Sequence, residues 1–192
     1  MEVVIKNIIN IFTIIDGKIN LLVNNSKLIE IDCLDELDIV NNEYINKNLD
    51  IKELKLYQYH TFSKKENDKL VLTLLYISII NRDDIKLKNN FTFIELDKFK
   101  DNIYIEKSIE YLKQQMVLNS TIKKLYPGEF ILPEIQKVYE ELLNKKYDRR
   151  NFRKKLIKLD VIEDIEKMSS NRTGRPAKLY RFKQIKEDKI LF

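Results

Sequence analysis

The chain of 192 residues has one cysteine, one histidine, three glycines, three prolines and no tryptophan. The lone Cys33 rules out an intrachain disulfide and points to a reducing, cytoplasmic setting. With His60 the only histidine, no zinc site can be assembled from several Cys and His ligands. The one Cys–His dyad available is Cys33 with His60. Cys33 has no basic neighbour in sequence and reads as a small packing residue. Long apolar runs are missing too, since none approaches the roughly 20 residues a membrane helix needs. The opening "MEVVIKNIINIFTIIDGK" is interrupted by Lys6, Asn7, Asn10 and Asp16 and has no small-residue cleavage site. It reads as strand, not signal peptide. No cofactor, metal or membrane association is expected.

What is present suits a folded chain with a charged surface. Hydrophobic residues make up 44%, aromatics 10% and charged residues 34%. The charge is unevenly spread. Residues 123–192 hold 19 Lys and Arg against 11 Asp and Glu, whereas residues 1–122 hold 16 against 19. A mildly acidic part joined to a basic part suggests two jobs, the basic one directed at a polyanion.

Residues 3–15 and 18–31 read as strands around Asp16-Gly17, a hairpin signal because Gly accepts positive φ. A weak helix is expected within 33–51, where Leu34, Leu37, Val40, Tyr44 and Ile45 recur near helical spacing. Strands are expected at 52–63 and 69–80, joined by the polar "KKEND", with a short strand at 91–95. Residues 102–118 carry one apolar stripe of Ile105, Ile109, Leu112 and Met116, hence a linker helix. That stripe could pack within its own chain or help to form a dimer. A helix from Pro133 to about Leu143 follows, then a short turn, then a helix over about 149–159 capped by Asp148. Strands at 161–168 and 177–183 flank the basic loop "SSNRTGRP". Helix, short turn, helix and two-stranded ribbon is the order of a winged helix–turn–helix. The expectation is an α+β chain with an N-terminal domain over 1–118, including the linker helix, and a winged helix over 119–192.

The second helix of that motif is unusual. From Arg149 to Lys158 it has six cations and no acid. At helical angles Phe152, Leu156 and Leu159 share one side, widened by Ile157. Arg150, Asn151, Lys154 and Lys158 fall opposite, and Arg149 and Lys155 flank them. Arg153 falls inside the apolar arc, where it could lay its stem along the core and pair with an acid such as Asp148. Solvated helix faces usually mix charges of both signs. This face points to nucleic acid, with Arg172, Arg175 and Lys178 as a basic wing and Gly174 allowing close approach.

The stretch "PGEFILPEIQKVYEELLNKKYDRRNFRKKLIKL", followed by "GRPAKLYRF", resembles the C-terminal domain of the Nudix-related transcriptional regulators. There a Nudix-like domain is fused to a winged helix. Ile131 stands where that family usually has Thr ahead of the first helix. "INIFTIIDGKINLLV" resembles the family's first hairpin, and "LKLYQYHTFSKKENDKLVLTLLYISII" its later strand pair. A Nudix hydrolase needs glycines in its signature loop and a Glu pair on the following helix to hold Mg²⁺. The only glycines here are Gly17, Gly128 and Gly174, all outside that region. Near "NNEYINKNLDI", Glu43 matches, but Asn46 and Lys47 stand where the Glu pair is expected. A Lys in that place opposes a divalent cation. Asp32, Asp35, Glu36 and Asp38 lie nearby and read as solvated acids, with another metal site as the alternative.

The resemblance implies a DNA-binding transcriptional regulator with a catalytically inactive Nudix-like effector or dimerisation domain. Double-stranded DNA is the expected partner, with a homodimer and an effector such as an ADP-ribose-like nucleotide or a sugar metabolite. The expected DNA-contacting residues are Arg149, Arg150, Asn151, Lys154, Lys158, Arg172, Arg175 and Lys178. The alternative is a divergent hydrolase of nucleoside diphosphate derivatives with a basic accessory domain. A third reading, a protein-interaction module, is opposed by the acid-free helix face.

Overall fold

The computed structural model describes residues 2–33, 37–51, 54–88, 90–99, 101–169, 176–184 and 189–192. The chain forms two compact units, residues 1–13 with 20–111 and residues 14–19 with 112–192. Both strands and helices are present, as an α+β chain requires.

The first unit is built on the long strand β1 (Glu2–Ile15). Every residue from Asn7 to Thr13 is buried, so both faces of this β-branched run are covered. The hairpin partner β2 (Lys18–Asn24) and β3 (Ile29–Asp32) follow, then helix α1 (Leu37–Asn48). A two-residue strand β4 (Asp50–Ile51) precedes β5 (Tyr57–Glu66) and β6 (Lys69–Ile79). Strand β7 (Ile85–Lys86) pairs with β4, and β8 (Phe91–Glu95) completes the main sheet. The sheet order is β5-β6-β1-β2-β8. Strand β6 runs parallel to β1 from Glu2↔Lys69 to Phe12↔Ile79, while β3 pairs antiparallel with Lys6–Ile9.

On one face Ile9, Ile11, Leu22, Leu74 and Tyr76 pack with Ile45 of α1 and with Leu49 just beyond it. Asn7 lies among them and donates from Nδ2 to Asn41 Oδ1 of α1 at 3.0 Å. Asn10, on the opposite face of β1, meets helix α2 (Ile103–Met116) instead. Its Nδ2 donates to Ser108 Oγ at 2.8 Å, and Ser108 Oγ donates to the Tyr104 carbonyl at 2.8 Å. With its proton so placed, Ser108 Oγ accepts from Tyr59 Oη at 2.5 Å. Burial raises the Tyr59 pKa, which keeps that phenol a donor.

The stripe on α2 is internal. Ile105, Leu112 and Met116 are buried in the chain and Ile109 is half-buried, so the stripe does not serve a dimer surface. Strand β5 begins later than expected and runs through Lys64, Lys65 and Glu66 to a turn of only Asn67-Asp68. These polar residues occupy an outer strand, where charge discourages further pairing. The expected strand over 18–31 is divided by a turn at Asn25-Ser26. Of the expected helix over 33–51, residues 37–48 are helical, while Leu34, Asp35 and Glu36 lie outside the described residues.

Turn geometry shows how three glycines suffice. Asp16-Gly17, Asn25-Ser26 and Asn67-Asp68 all have positive φ at both positions. This is the turn whose twist matches antiparallel strands.

Ser108→Ala leaves the buried Asn10 amide and Tyr59 hydroxyl without their acceptor. The expected loss is about 1–3 kcal/mol. Urea unfolding measures it, and an unchanged midpoint would show that this polar cluster does not stabilise the unit.

Candidate nucleic-acid interface

The second unit contains helices α3 (Asn119–Leu125), α4 (Leu132–Leu143) and α5 (Arg149–Lys158) and the ribbon β9 (Ile162–Met168) with β10 (Lys178–Phe182). Between α3 and α4, Phe130 and Tyr180 exchange two backbone hydrogen bonds of 2.9 Å, adding a bridge to the ribbon. Sequence reasoning missed α3. Its signal is short, with Ile122 and Leu125 as buried apolar residues one turn apart.

Helix α4 has Pro133 in its first turn. Ile131 at the cap has no acceptor, so the return contact carries that end: Ile131 N donates to Glu134 Oε2 at 3.2 Å. Ile135, Val138 and Tyr139 of α4 are fully buried. The helix stops at Asn144, whose φ of 48° places it in the left-handed region.

The turn into α5 is held by two side chains of α4. Glu140 Oε1 accepts from Gln136 Nε2 at 2.8 Å and from Tyr147 N at 2.9 Å, and Oε2 from Lys146 Nζ at 3.1 Å. Gln136 Nε2 also donates to the Tyr147 carbonyl at 2.8 Å. Asp148 then caps α5, accepting from Asn151 N at 2.9 Å.

Helix α5 docks through Phe152 and Leu156, both buried. Phe152 lies against Tyr139 and Tyr147, with ring centroids 6.1 and 5.8 Å apart. Ile157 is 48% exposed, so the docked face is narrower than expected and this side chain flanks it. Arg153 does not pair with Asp148, which is occupied as the cap. Its guanidinium lies over the Tyr180 ring at 5.9 Å. Arg149, Arg150, Asn151, Lys154 and Lys158 are exposed. Among the described residues, none of these four cations has an ion-pair partner.

The ribbon is different. Lys178 Nζ pairs with Asp164 at 2.7 Å, Arg181 with Glu163 at 2.7 Å, and Lys167 with Glu129 at 3.1 Å. The bond to Asp164 raises the Lys178 pKa, and the same bond lowers that of Asp164. Lys178 must therefore leave a carboxylate before it can meet a phosphate. Arg172, Gly174 and Arg175 lie outside the described residues.

Residues 122–182 match the NrtR DNA-binding winged helix domain. The second unit is therefore similar to that domain and has the fold of a winged helix. The whole fold matches the crystal structure of Shewanella oneidensis NrtR complexed with a 27mer DNA, with a TM-score of 0.70, 21% identity and 93% of each chain covered. It also matches a MutT/nudix family protein from Enterococcus faecalis, with a TM-score of 0.62, 15% identity, and 95% of this chain and 87% of the other covered. In fold, the chain thus resembles a Nudix-like domain followed by a winged helix. In sequence it is 25% identical over 122 residues to the ADPR responsive transcriptional repressor NtrR of Acinetobacter baylyi, covering 58% of this chain. The chain spans about half, 48%, of that relative's length.

In the Nudix-like unit, α1 presents Glu43, Asn46 and Lys47 on one exposed face. One carboxylate, one amide and one ammonium do not fit a Mg²⁺ site, which needs hard anionic oxygens. Among the described residues, no group of three or more His, Cys, Asp or Glu is placed to hold a metal. His60 lies on β5 with its ring edge-on to Phe62 at 4.6 Å. A groove of about 520 Å³ opens beside β2 and α1, lined by Asn24, Lys27, Glu30 and Tyr44 among others. Among the described residues, no helix is long and apolar enough to cross a membrane.

The Glu140 carboxyl is held down to about 2, first by Gln136, then by Tyr147 N and Lys146. Its folded pKa lies below its unfolded one, so its stabilisation is complete above about pH 4.5 and is lost as pH falls towards 2. Glu140→Gln should show a shallower loss of thermal stability across that window than the wild type. Carboxyl NMR gives the direct reading. A Glu140 midpoint near 4.5 would mean that the turn is not held this way.

Proposed function

We propose that the chain is a DNA-binding transcriptional regulator, with its winged helix over about 119–192 and its Nudix-like domain over about 1–118. The observation that carries this is the exposed face of α5: a docked helix with no acid of its own and four cations that have no ion-pair partner among the described residues. Arg149, Arg150, Asn151, Lys154 and Lys158 form the recognition surface. Those nearest its N-terminal end, Arg150, Asn151 and Lys154, contact bases in the major groove. Arg172, Arg175 and Lys178 supply flanking contacts to phosphates or the minor groove. The protein works in the cytoplasm as a homodimer that reads two half-sites, because one winged helix buries little surface.

The Nudix-like domain binds an effector and does not hydrolyse it. Asn46 and Lys47 support the second half of that statement. ADP-ribose or a related nucleotide is the first effector to test, because the Acinetobacter baylyi relative is described as ADPR responsive. The groove beside Asn24, Lys27 and Tyr44 is a candidate place for it.

Selection of bound duplexes from a random pool tests the main reading. Binding to the selected duplex should fall with salt at a log–log slope near −0.9 for each phosphate neutralised. Lys158→Ala should make that slope shallower by about one unit, and Lys178→Ala by less, because Asp164 already holds Lys178. Asn151→Ala should lower discrimination against scrambled DNA by roughly 1–3 kcal/mol. Failure to enrich any sequence, with no salt-dependent binding, would remove the regulator reading. Incubation with ADP-ribose and Mg²⁺ or Mn²⁺ tests the hydrolase alternative. Turnover at an ordinary enzyme rate, above about one per second, would establish catalysis instead.

A further inference from the structure

The match to the winged helix family ends at residue 182, but the structured part of the second unit does not. Residues Lys189–Phe192 return to its core. Leu191 is fully buried, and its N–H donates to the Val117 carbonyl at 2.7 Å, beside a bridge between Leu118 and Ile190. The other contacts reach α5, α4 and the turn between them. The Phe192 ring stacks on Phe152 at 5.1 Å and 12°, and also meets Tyr139 at 4.6 Å and Tyr147 at 5.0 Å. Lys155 Nζ lies over the Phe192 ring at 4.4 Å. Lys189 Nζ donates to the carbonyl of Leu159, the residue that closes α5, at 2.6 Å.

We infer that Lys189–Phe192 is a strap that positions the recognition helix, with Phe192 setting the angle at which α5 presents its cations. The strap holds α5 at two places, by ring stacking in its first turn and by an ammonium on the carbonyl of its C-cap, Leu159. Stacked aromatic pairs resist tilting because their offset geometry is specific. A cation near the last carbonyls of a helix is favourable because those carbonyls lack intrahelical partners. Phe192 is a positioning residue, since it acts through Phe152 and Lys155. This inference rests on α5 being the recognition helix.

The test uses the full chain with Phe192→Ala and Phe192→Tyr. Hydrogen exchange of the DNA-free protein gives the first measurement. Phe192→Ala should speed exchange of the α5 amides about tenfold, with a much smaller change in α3 and in the buried face of α4. Affinities for selected and scrambled duplexes give the second. The ratio between them should fall roughly tenfold in Phe192→Ala while non-specific binding changes less than about twofold. Phe192→Tyr keeps the ring and should restore both. Equal acceleration of all amides with an unchanged ratio would reduce the strap to general packing and overturn the proposal. If the wild type does not discriminate between duplexes, the regulator reading fails, and exchange alone decides whether the strap holds α5. If Phe192→Ala does not fold, Phe192→Leu is read by the same two measurements.

Discussion

Burial of Phe152 governs what the second unit can do. Once its ring is held between Tyr139, Tyr147 and Phe192, the 100° step of the helix leaves no choice about the rest. Leu156 must follow it inward, and Arg150, Lys154 and Lys158 must face out. These three lie four residues apart, and each such like-charge pair disfavours a helix by about 0.2–0.5 kcal/mol. Acids that could relieve the repulsion are engaged elsewhere. Asp148 caps the helix, and Glu163 and Asp164 neutralise the ribbon. The helix is stable because it is docked and capped, and its outer face carries no acid.

How much of this was legible in the sequence varied with how local the cause was. Asp148 could be read as a cap, and Pro133 as a first-turn residue, because both act within one turn. The hairpin at Asp16-Gly17 and the strand at 91–95 rest on equally local signals. Helix α3 was not legible, because seven residues give too few repeats for a period to show. Arg153 was misjudged because its partner, Tyr180, is distant in the chain. The Phe192 ring box could not be read at all, since Tyr139, Tyr147 and Phe152 meet it only after the chain has folded. The ion pairs of the ribbon were likewise hidden. Lys178 looked like a free cation until Asp164 was placed opposite it.

The Nudix-like unit keeps the scaffold while its helix carries different chemistry. Strand β1 is covered on both faces, which makes the sheet a rigid platform. Yet Asn7 and Asn10 are fully buried, one bonded to each flanking helix, α1 and α2. A buried amide is stable only where its partner is, so these two residues fix the register of both helices against the strand more tightly than aliphatic contacts would. A helix held that firmly can exchange its outward residues freely. Glu43, Asn46 and Lys47 are all outward.

The scarcity of glycine acts on the chain before it folds. Seven of the left-handed positions are filled by Asp16, Asn25, Ser26, Asn67, Asp68, Asn144 and Asp160. Each stores some strain in the native state, which Asn and Asp bear better than most residues. Each also gives the denatured chain fewer conformations than glycine would, an effect of roughly 0.4–1 kcal/mol at compatible sites. The two contributions have opposite sign, and the strain is least where Asn or Asp holds the position. The hairpins therefore close from a stiffer ensemble, with less entropy to lose at the point where each chain reversal begins.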